Sequence, residues 1–184
     1  GGNIDFSTLW GDLVVNFNEN ITFKGQYFVQ DLGDGWLGYD YYYDDSPSAW
    51  KAILQVSQNA LKFTDLWIEY AQLDEGFLFA NGDPYAWALS GSLFLDGGRV
   101  DDDTTVLNIV AKQKWNDQWW TYVRYLDVKV DEWRGDADYY NWTASVRYNY
   151  TPNLWFELGY DKLGGDGATK TGDDMVWFRT TVNF

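Results

Sequence analysis

The chain has no cysteine and no histidine among its 184 residues. Without thiolate or imidazole groups it can form neither a Ser-His-Asp or Cys-His catalytic site nor a zinc site built from Cys or His. It also lacks a run of about 18 apolar residues, so no transmembrane helix is predicted. Basic residues are few, 13 against 28 acidic ones, with a formal charge of −15, and this balance argues against a nucleic-acid partner.

Aromatic residues, by contrast, are abundant. The chain has 12 Trp, 14 Tyr and 11 Phe beside 18 Gly and only 3 Pro, yet its mean hydropathy is −0.43. So many aromatic rings in a chain that is polar on average indicate apolar side chains placed singly between polar ones, which is a strand pattern rather than a helix pattern.

Alternation with period two runs through most of the sequence and predicts nine strands. They cover about residues 7–17, 21–30, 50–57, 65–70, 107–112, 119–130, 141–150, 156–160 and 175–184. One segment is ambiguous, because Ser46-Pro47 could instead begin an amphipathic helix that continues through Leu61.

The connections between these strands are of two kinds that strictly alternate. Short turns lie at 18–20, 58–64, 115–118 and 151–153, whereas long acidic and glycine-rich loops lie at 31–48, 74–104, 131–138 and 162–174. This layout predicts an all-β fold, an antiparallel up-and-down transmembrane β-barrel with its short turns in the periplasm. Residues 1–184 would form one such barrel domain or the carboxy-terminal portion of one.

The loop at 74–104 is the longest and the least typical. Its residues 85–95 alternate well enough for a strand, but a full crossing would break the alternation of short and long connections. We expect an excursion that folds into the barrel mouth or onto a neighbouring subunit, or alternatively an extracellular hairpin.

Aromatic residues gather near the predicted strand ends. Tyr148, Tyr150 and Phe156 flank the turn at Pro152, while Val, Leu, Ile and Ala occupy the strand centres. Such girdles mark the two membrane interfaces of a barrel. The alternative is that Trp and Tyr simply favour strands.

Strand parity divides the side chains into two predicted sets. Those expected to face lipid are apolar: Leu13, Val15, Phe23, Leu54, Ile68, Ile109, Val146, Leu158 and Phe178. Those expected to line a pore are charged: Asp12, Lys24, Lys51, Glu69, Lys112, Arg124, Arg147, Glu157 and Arg179.

Three of these charges should be neighbours. Pairing the strands about the Pro152 turn places Arg147 opposite Glu157, and the last strand can bring Arg179 to the other side of Glu157. Fixed charges in a low-dielectric wall orient and select permeating solutes. Alternatively, they satisfy one another in a plugged or narrow barrel.

Acidic clusters invite comparison with cation sites. Three stand out, at Asp40, Asp44 and Asp45, at 101–103, and at Asp173 and Asp174. None has the spacing of an EF-hand loop, and charged loops are usually solvated. We therefore expect no metal, no cofactor and no catalytic residue.

Two other functions are alternatives to the barrel. The stronger is a soluble, aromatic-rich β-sandwich that binds carbohydrate, and the weaker is a glycosidase with paired carboxylates.

The last nine residues, Val176 to Phe184, alternate and end in a carboxy-terminal Phe. They resemble the terminal strand of outer-membrane barrel proteins, and the segments 66–70 and 119–125 with the hairpin 148–160 resemble porins that carry an S-layer-homology domain ahead of the barrel. This resemblance implies a bacterial outer-membrane protein that acts as a general diffusion pore, in contact with lipid and lipopolysaccharide and often trimeric. It also implies that the barrel-assembly machinery recognises Phe184.

Counting strands adds one expectation. Bacterial single-chain barrels have an even number of strands and both termini in the periplasm, whereas this chain gives nine. Gly1-Gly2-Asn3 looks like the tail of a loop, so we expect at least one further strand in the natural protein and a larger, even-stranded barrel.

Overall fold

The computed structural model describes residues 7–31, 46–77, 102–131, 137–166 and 172–183. They form nine strands and one short helix: β1 Ser7–Asn18, β2 Ile21–Asp31, β3 Ser48–Val56, α1 Gln58–Leu61, β4 Asp65–Leu73, β5 Thr104–Lys114, β6 Trp119–Val130, β7 Ala137–Thr151, β8 Leu154–Asp166 and β9 Gly172–Val182. Over these ranges the structure contains no helix long and apolar enough to cross a membrane.

All nine strands belong to a single sheet in which each strand pairs antiparallel with the next one along the chain. The predicted all-β, antiparallel up-and-down arrangement is therefore confirmed. β1 and β9 lie at the two edges, so the described strands form an open sheet rather than a closed barrel.

Asparagine side chains hold two of the short turns. Asn18 Oδ1 accepts a hydrogen bond from the backbone N–H of Asn20 at 2.8 Å. Asn116 Oδ1 accepts from the N–H groups of Gln118 at 2.9 Å and Trp119 at 2.8 Å. Short polar side chains that bond to backbone groups just ahead of them favour tight turns, so the strands reverse where the sequence predicts.

A helix from Ser46 to Leu61 is not formed, and that alternative is wrong. Ser48–Val56 is a strand, and the helix is limited to Gln58–Leu61. Trp50, Ile53 and Val56 favour the extended conformation, and the helix ends at Lys62, whose φ of 69° is left-handed.

The final loop is shorter than predicted. β8 continues to Asp166 and β9 begins at Gly172, with Lys162 paired to Asp174. The glycine-rich composition suggested a loop, but pairing between the two strands extends into both ends of this segment, as far as Gly164 and Gly172. The predicted excursion at 85–95, the acidic residues Asp40, Asp44, Asp45 and Asp101, and Phe184 lie outside the described residues.

The sheet has two unlike faces. We call the face that carries Leu13, Leu158 and Phe178 the outer face and the opposite one the inner face. Within the described strands every buried side chain lies on the inner face, and most exposed large apolar side chains lie on the outer face. The exceptions in strands, Trp10, Val14 and Met175, are on the two edge strands.

Part of the inner face is apolar, which the sequence pattern did not indicate. An inner apolar cluster lies beside the long connections of β2 to β7 and consists of Phe28, Ala49, Ala71, Leu73, Phe77, Val106, Leu126 and Val128, with Val130 and Tyr139 packed against it. The inner face therefore changes from apolar at the long-loop end to polar toward the short turns.

Candidate pore lining

The residues predicted to face lipid share the outer face. Val15, Phe23, Leu54, Ile68 and Ile109 form one continuous row across β1 to β5. Val146, Leu158 and Phe178 form another across β7 to β9, and Leu13 lies two residues before Val15. None of the nine is buried, and Leu158 and Phe178 are 57% and 65% exposed. The sheet thus presents an apolar surface along its whole width.

The residues predicted to line a pore all lie on the inner face, in two different environments. Lys51 and Glu69, near the inner apolar cluster, are 1% and 2% exposed. Asp12 and Lys24 lie nearby on β1 and β2, whereas the other five lie on β5 to β9. Asp12 is exposed on the edge strand β1, but it is in the second half of the sheet that five of the predicted charges come together at one accessible surface.

That surface is a cleft of about 870 Å³ on the inner face of β5 to β9. It combines four cationic, three acidic and several aromatic side chains. Its main charged and aromatic residues are Lys112, Arg124, Arg147, Arg179, Glu157, Asp161, Asp173, Trp120, Tyr122, Trp155 and Trp177. The five predicted residues of this half of the sheet all line this cleft.

Glu157 is the most enclosed charge in the cleft, at 9% exposed. It pairs in register with Arg147 on β7 and Arg179 on β9, so the predicted juxtaposition of these three residues is confirmed. Arg179 Nη2 donates to its Oε2 at 2.6 Å, and Ser145 Oγ donates to its Oε1 at 2.6 Å. Both carboxylate oxygens therefore have a donor.

Asp161 is the second acidic group of the cleft and has two neutral donors. Trp177 Nε1 donates to its Oδ2 at 2.7 Å, and Thr143 Oγ1 donates to its Oδ1. The Trp177 ring reaches Asp161 by lying over Gly159, where an added Cβ would meet the ring at 2.1 Å. Only glycine leaves room for this contact.

Arg147 and Arg124 are held by neutral groups. Arg147 Nε donates to Asn149 Oδ1 at 2.9 Å, and its guanidinium lies 4.0 Å from the Trp155 ring centroid. Arg124 Nε donates to Asn108 Oδ1 at 3.1 Å. In the part of the chain that the structure describes, neither arginine is in a salt bridge.

Outside the cleft, the turn after β5 carries a second ion pair. Lys114 Nζ lies 2.8 Å from Asp117 Oδ1, and the hydrogen bond and positive charge of Lys114 lower the pKa of Asp117. Because Asp117 is fully exposed, water screens this pair and it adds little to stability.

Sequence reasoning missed the partners that organise the charges: Ser145, Trp155, Asp161 and Trp177. Parity places all of them on the charged face, so their side could have been found. Their hydrogen bonds depend on rotamers and on the close approach at Gly159, which alternation does not encode. Over the described ranges no three acidic residues lie close enough to hold a metal ion.

Compared with known proteins, the chain matches no protein-family model, and no curated protein is significantly similar to it.

Proposed function

We propose that the protein is an outer-membrane porin whose wall includes these nine strands and whose lumen is a passive, water-filled path for ions and small hydrophilic solutes. The observation that carries the proposal is the distribution of side chains between the two faces: large apolar residues are exposed across the outer face, whereas the buried charged residues Lys51, Glu69 and Glu157 all lie on the inner face. In water an apolar surface of this extent marks a contact site, and lipid is the contact that strands with a polar lumen require.

The position of the apolar band gives separate support. The apolar outer residues of β1 centre on Leu13. Followed from strand to strand through the pairing, the row of residues that begins at Leu13 reaches β9 at Gly172. The apolar outer residues of β9, however, centre on Phe178. The band is thus displaced by about six residues over eight interstrand steps, or roughly 20 Å over roughly 38 Å. A band level with a membrane then requires strands tilted by about 30°, near the 35–45° of membrane barrels.

The carbohydrate-binding β-sandwich receives no comparable support. A sandwich needs two sheets that face each other over a shared core, whereas the nine described strands form one meander. The rings of Trp120 and Trp155, which could hold a sugar, are covered by the cationic groups of Lys112 and Arg147 at 4.4 and 4.0 Å.

The proposal includes the surroundings of the protein. The outer face would contact lipid and, at the long-loop end, lipopolysaccharide. The barrel-assembly machinery would insert the protein through its last strand, and the subunits would associate as homo-oligomers, with a trimer suggested by the resemblance to porins.

Reconstitution tests this function directly. The purified chain should fold in detergent or lipid, migrate differently on gels before and after boiling, and produce stepwise conductance in planar bilayers. Chain that has been boiled in denaturant is the control and should give no steps. A monodisperse, folded species in plain buffer that never conducts would contradict the proposal.

Replacing Glu157 with glutamine should change ion selectivity more than folding. The change removes the partner of Arg179 and raises the positive charge of the cleft, so anions should permeate more readily. The loss of stability should be about 1 kcal/mol, since the amide can keep the Ser145 hydrogen bond. Reversal potentials in asymmetric KCl measure the effect.

The matched control for this change is Asp127→Asn, which removes one negative charge from the outer face of β6 and leaves the cleft intact. Its reversal potential should stay near that of the unmodified protein. Equal shifts in the two variants would mean that Glu157 acts only through net charge and does not face the conduction path.

A further inference from the structure

We propose that the cleft contains an anion-binding subsite, formed by Lys112, Arg124 and Arg147, that takes small organic carboxylates as they pass. This inference rests on the proposed pore and names the class of solute that its wall retains. It is not what net charge suggests, because at −15 the long-range field of the protein favours cation entry.

The wall holds these three cations through neutral groups. Arg124 and Arg147 each use Nε to bond an asparagine oxygen, which leaves the terminal guanidinium nitrogens of each for a ligand. Lys112 Nζ lies 4.4 Å from the Trp120 ring centroid. Contacts with neutral groups thus hold all three cationic side chains in place.

The nearby carboxylates of Glu157 and Asp161 already accept hydrogen bonds from other side chains. Glu157 lies opposite Arg147 in register, but its two oxygens accept from Ser145 and Arg179. Asp161 follows Arg124 and Thr143 in one register row, and its oxygens accept from Thr143 and Trp177. Among the described residues, neither Arg124 nor Arg147 forms a salt bridge with a carboxylate.

The positions of the three cations suit one shared ligand. The three cations lie on the adjacent strands β5, β6 and β7 around Tyr122, which pairs with Lys112 on one side and Ser145 on the other. All of them line the same cleft of about 870 Å³. Arginine forks suit carboxylates in particular, because two parallel N–H groups match two oxygens. A solute with two or three carboxylates could engage several of these groups together.

Isothermal titration of citrate into the chain folded in zwitterionic detergent tests the subsite and requires no conductance. Citrate should bind to the unmodified protein, and glucose, as an uncharged solute, should not. Lys112→Gln, Arg124→Gln and Arg147→Gln should each weaken citrate binding about three- to tenfold. Lys129→Gln, which removes the same charge from the outer face, should leave it unchanged.

Charge-conserving variants separate binding from folding. Arg124→Lys and Arg147→Lys should retain more of the citrate affinity than the glutamine variants do, and Lys112, being exposed, should tolerate replacement without loss of the fold.

Absence of citrate binding, or equal weakening in Lys129→Gln, would overturn the subsite. A chain that binds citrate but never conducts would overturn the pore alone, and a conducting chain indifferent to citrate would overturn the subsite alone.

Discussion

Arginine in place of Val146 should destabilise the protein in lipid vesicles by about 2–4 kcal/mol, the cost of a basic side chain at the midplane of a membrane barrel. Val146 lies on the outer face of β7 in the same row as Leu158 and Phe178, between the aromatic residues Trp142 and Tyr148. It is 44% exposed. In a water-soluble protein a site this open would accept arginine at a cost within about 0.5 kcal/mol.

The matched control is Tyr150→Arg, four residues further along the same face and next to the Thr151 turn. Tyr150 is 62% exposed, and near the interface the same charge should cost only about 0–1 kcal/mol. Tryptophan fluorescence during urea unfolding from vesicles measures both values. If Val146→Arg and Tyr150→Arg were equally mild, the outer face would not be in contact with hydrocarbon.

The pairing pattern of the sheet could be predicted because it depends on local features. Alternation fixes which side each residue takes, and turn residues such as Asn116 and Pro152 fix where the chain reverses. Together they set the register, so that Arg147 opposite Glu157 follows from the position of one turn. A strand that slips by one residue would exchange its two faces, which makes this level of structure strongly specified.

The character of the inner face could not be predicted in the same way. Phe28, Val106 and Val128 share a parity with charged residues, but they form part of the inner apolar cluster. Parity assigns a side and says nothing about position along the strand. The sequence did contain a signal for the cluster: in β2 to β7, apolar residues of the inner parity recur near the strand ends that join the long loops.

The distribution of polarity along the inner face has a consequence for the proposed pore. Lys51 and Glu69 are buried on β3 and β4, whereas five of the predicted charges come together in the cleft of β5 to β9. A solute that passed along the cleft would therefore meet Arg124, Arg147 and Glu157, of which the two arginines belong to the proposed subsite.

Alanine in place of Gly159 should destabilise the folded protein by about 1–3 kcal/mol, the usual cost of forcing extra volume into a packed site. A Cβ at this position would lie 2.1 Å from the Trp177 ring, so the indole must move away. Its hydrogen bond to Asp161 would then be lost, and the freed carboxylate could approach Arg124. We therefore expect Gly159→Ala to weaken citrate binding as well as stability.

Gly11→Ala is the matched control, because Gly11 also lies in a strand but an added Cβ meets nothing within 4 Å. This variant should be neutral or more stable by about 0.5–1 kcal/mol, since alanine loses less backbone entropy than glycine on folding. Urea unfolding in vesicles and citrate titration, applied to both variants, give the comparison. If Gly159→Ala behaved like Gly11→Ala in both measurements, the contact of Trp177 with Gly159 would not organise the charges of the cleft.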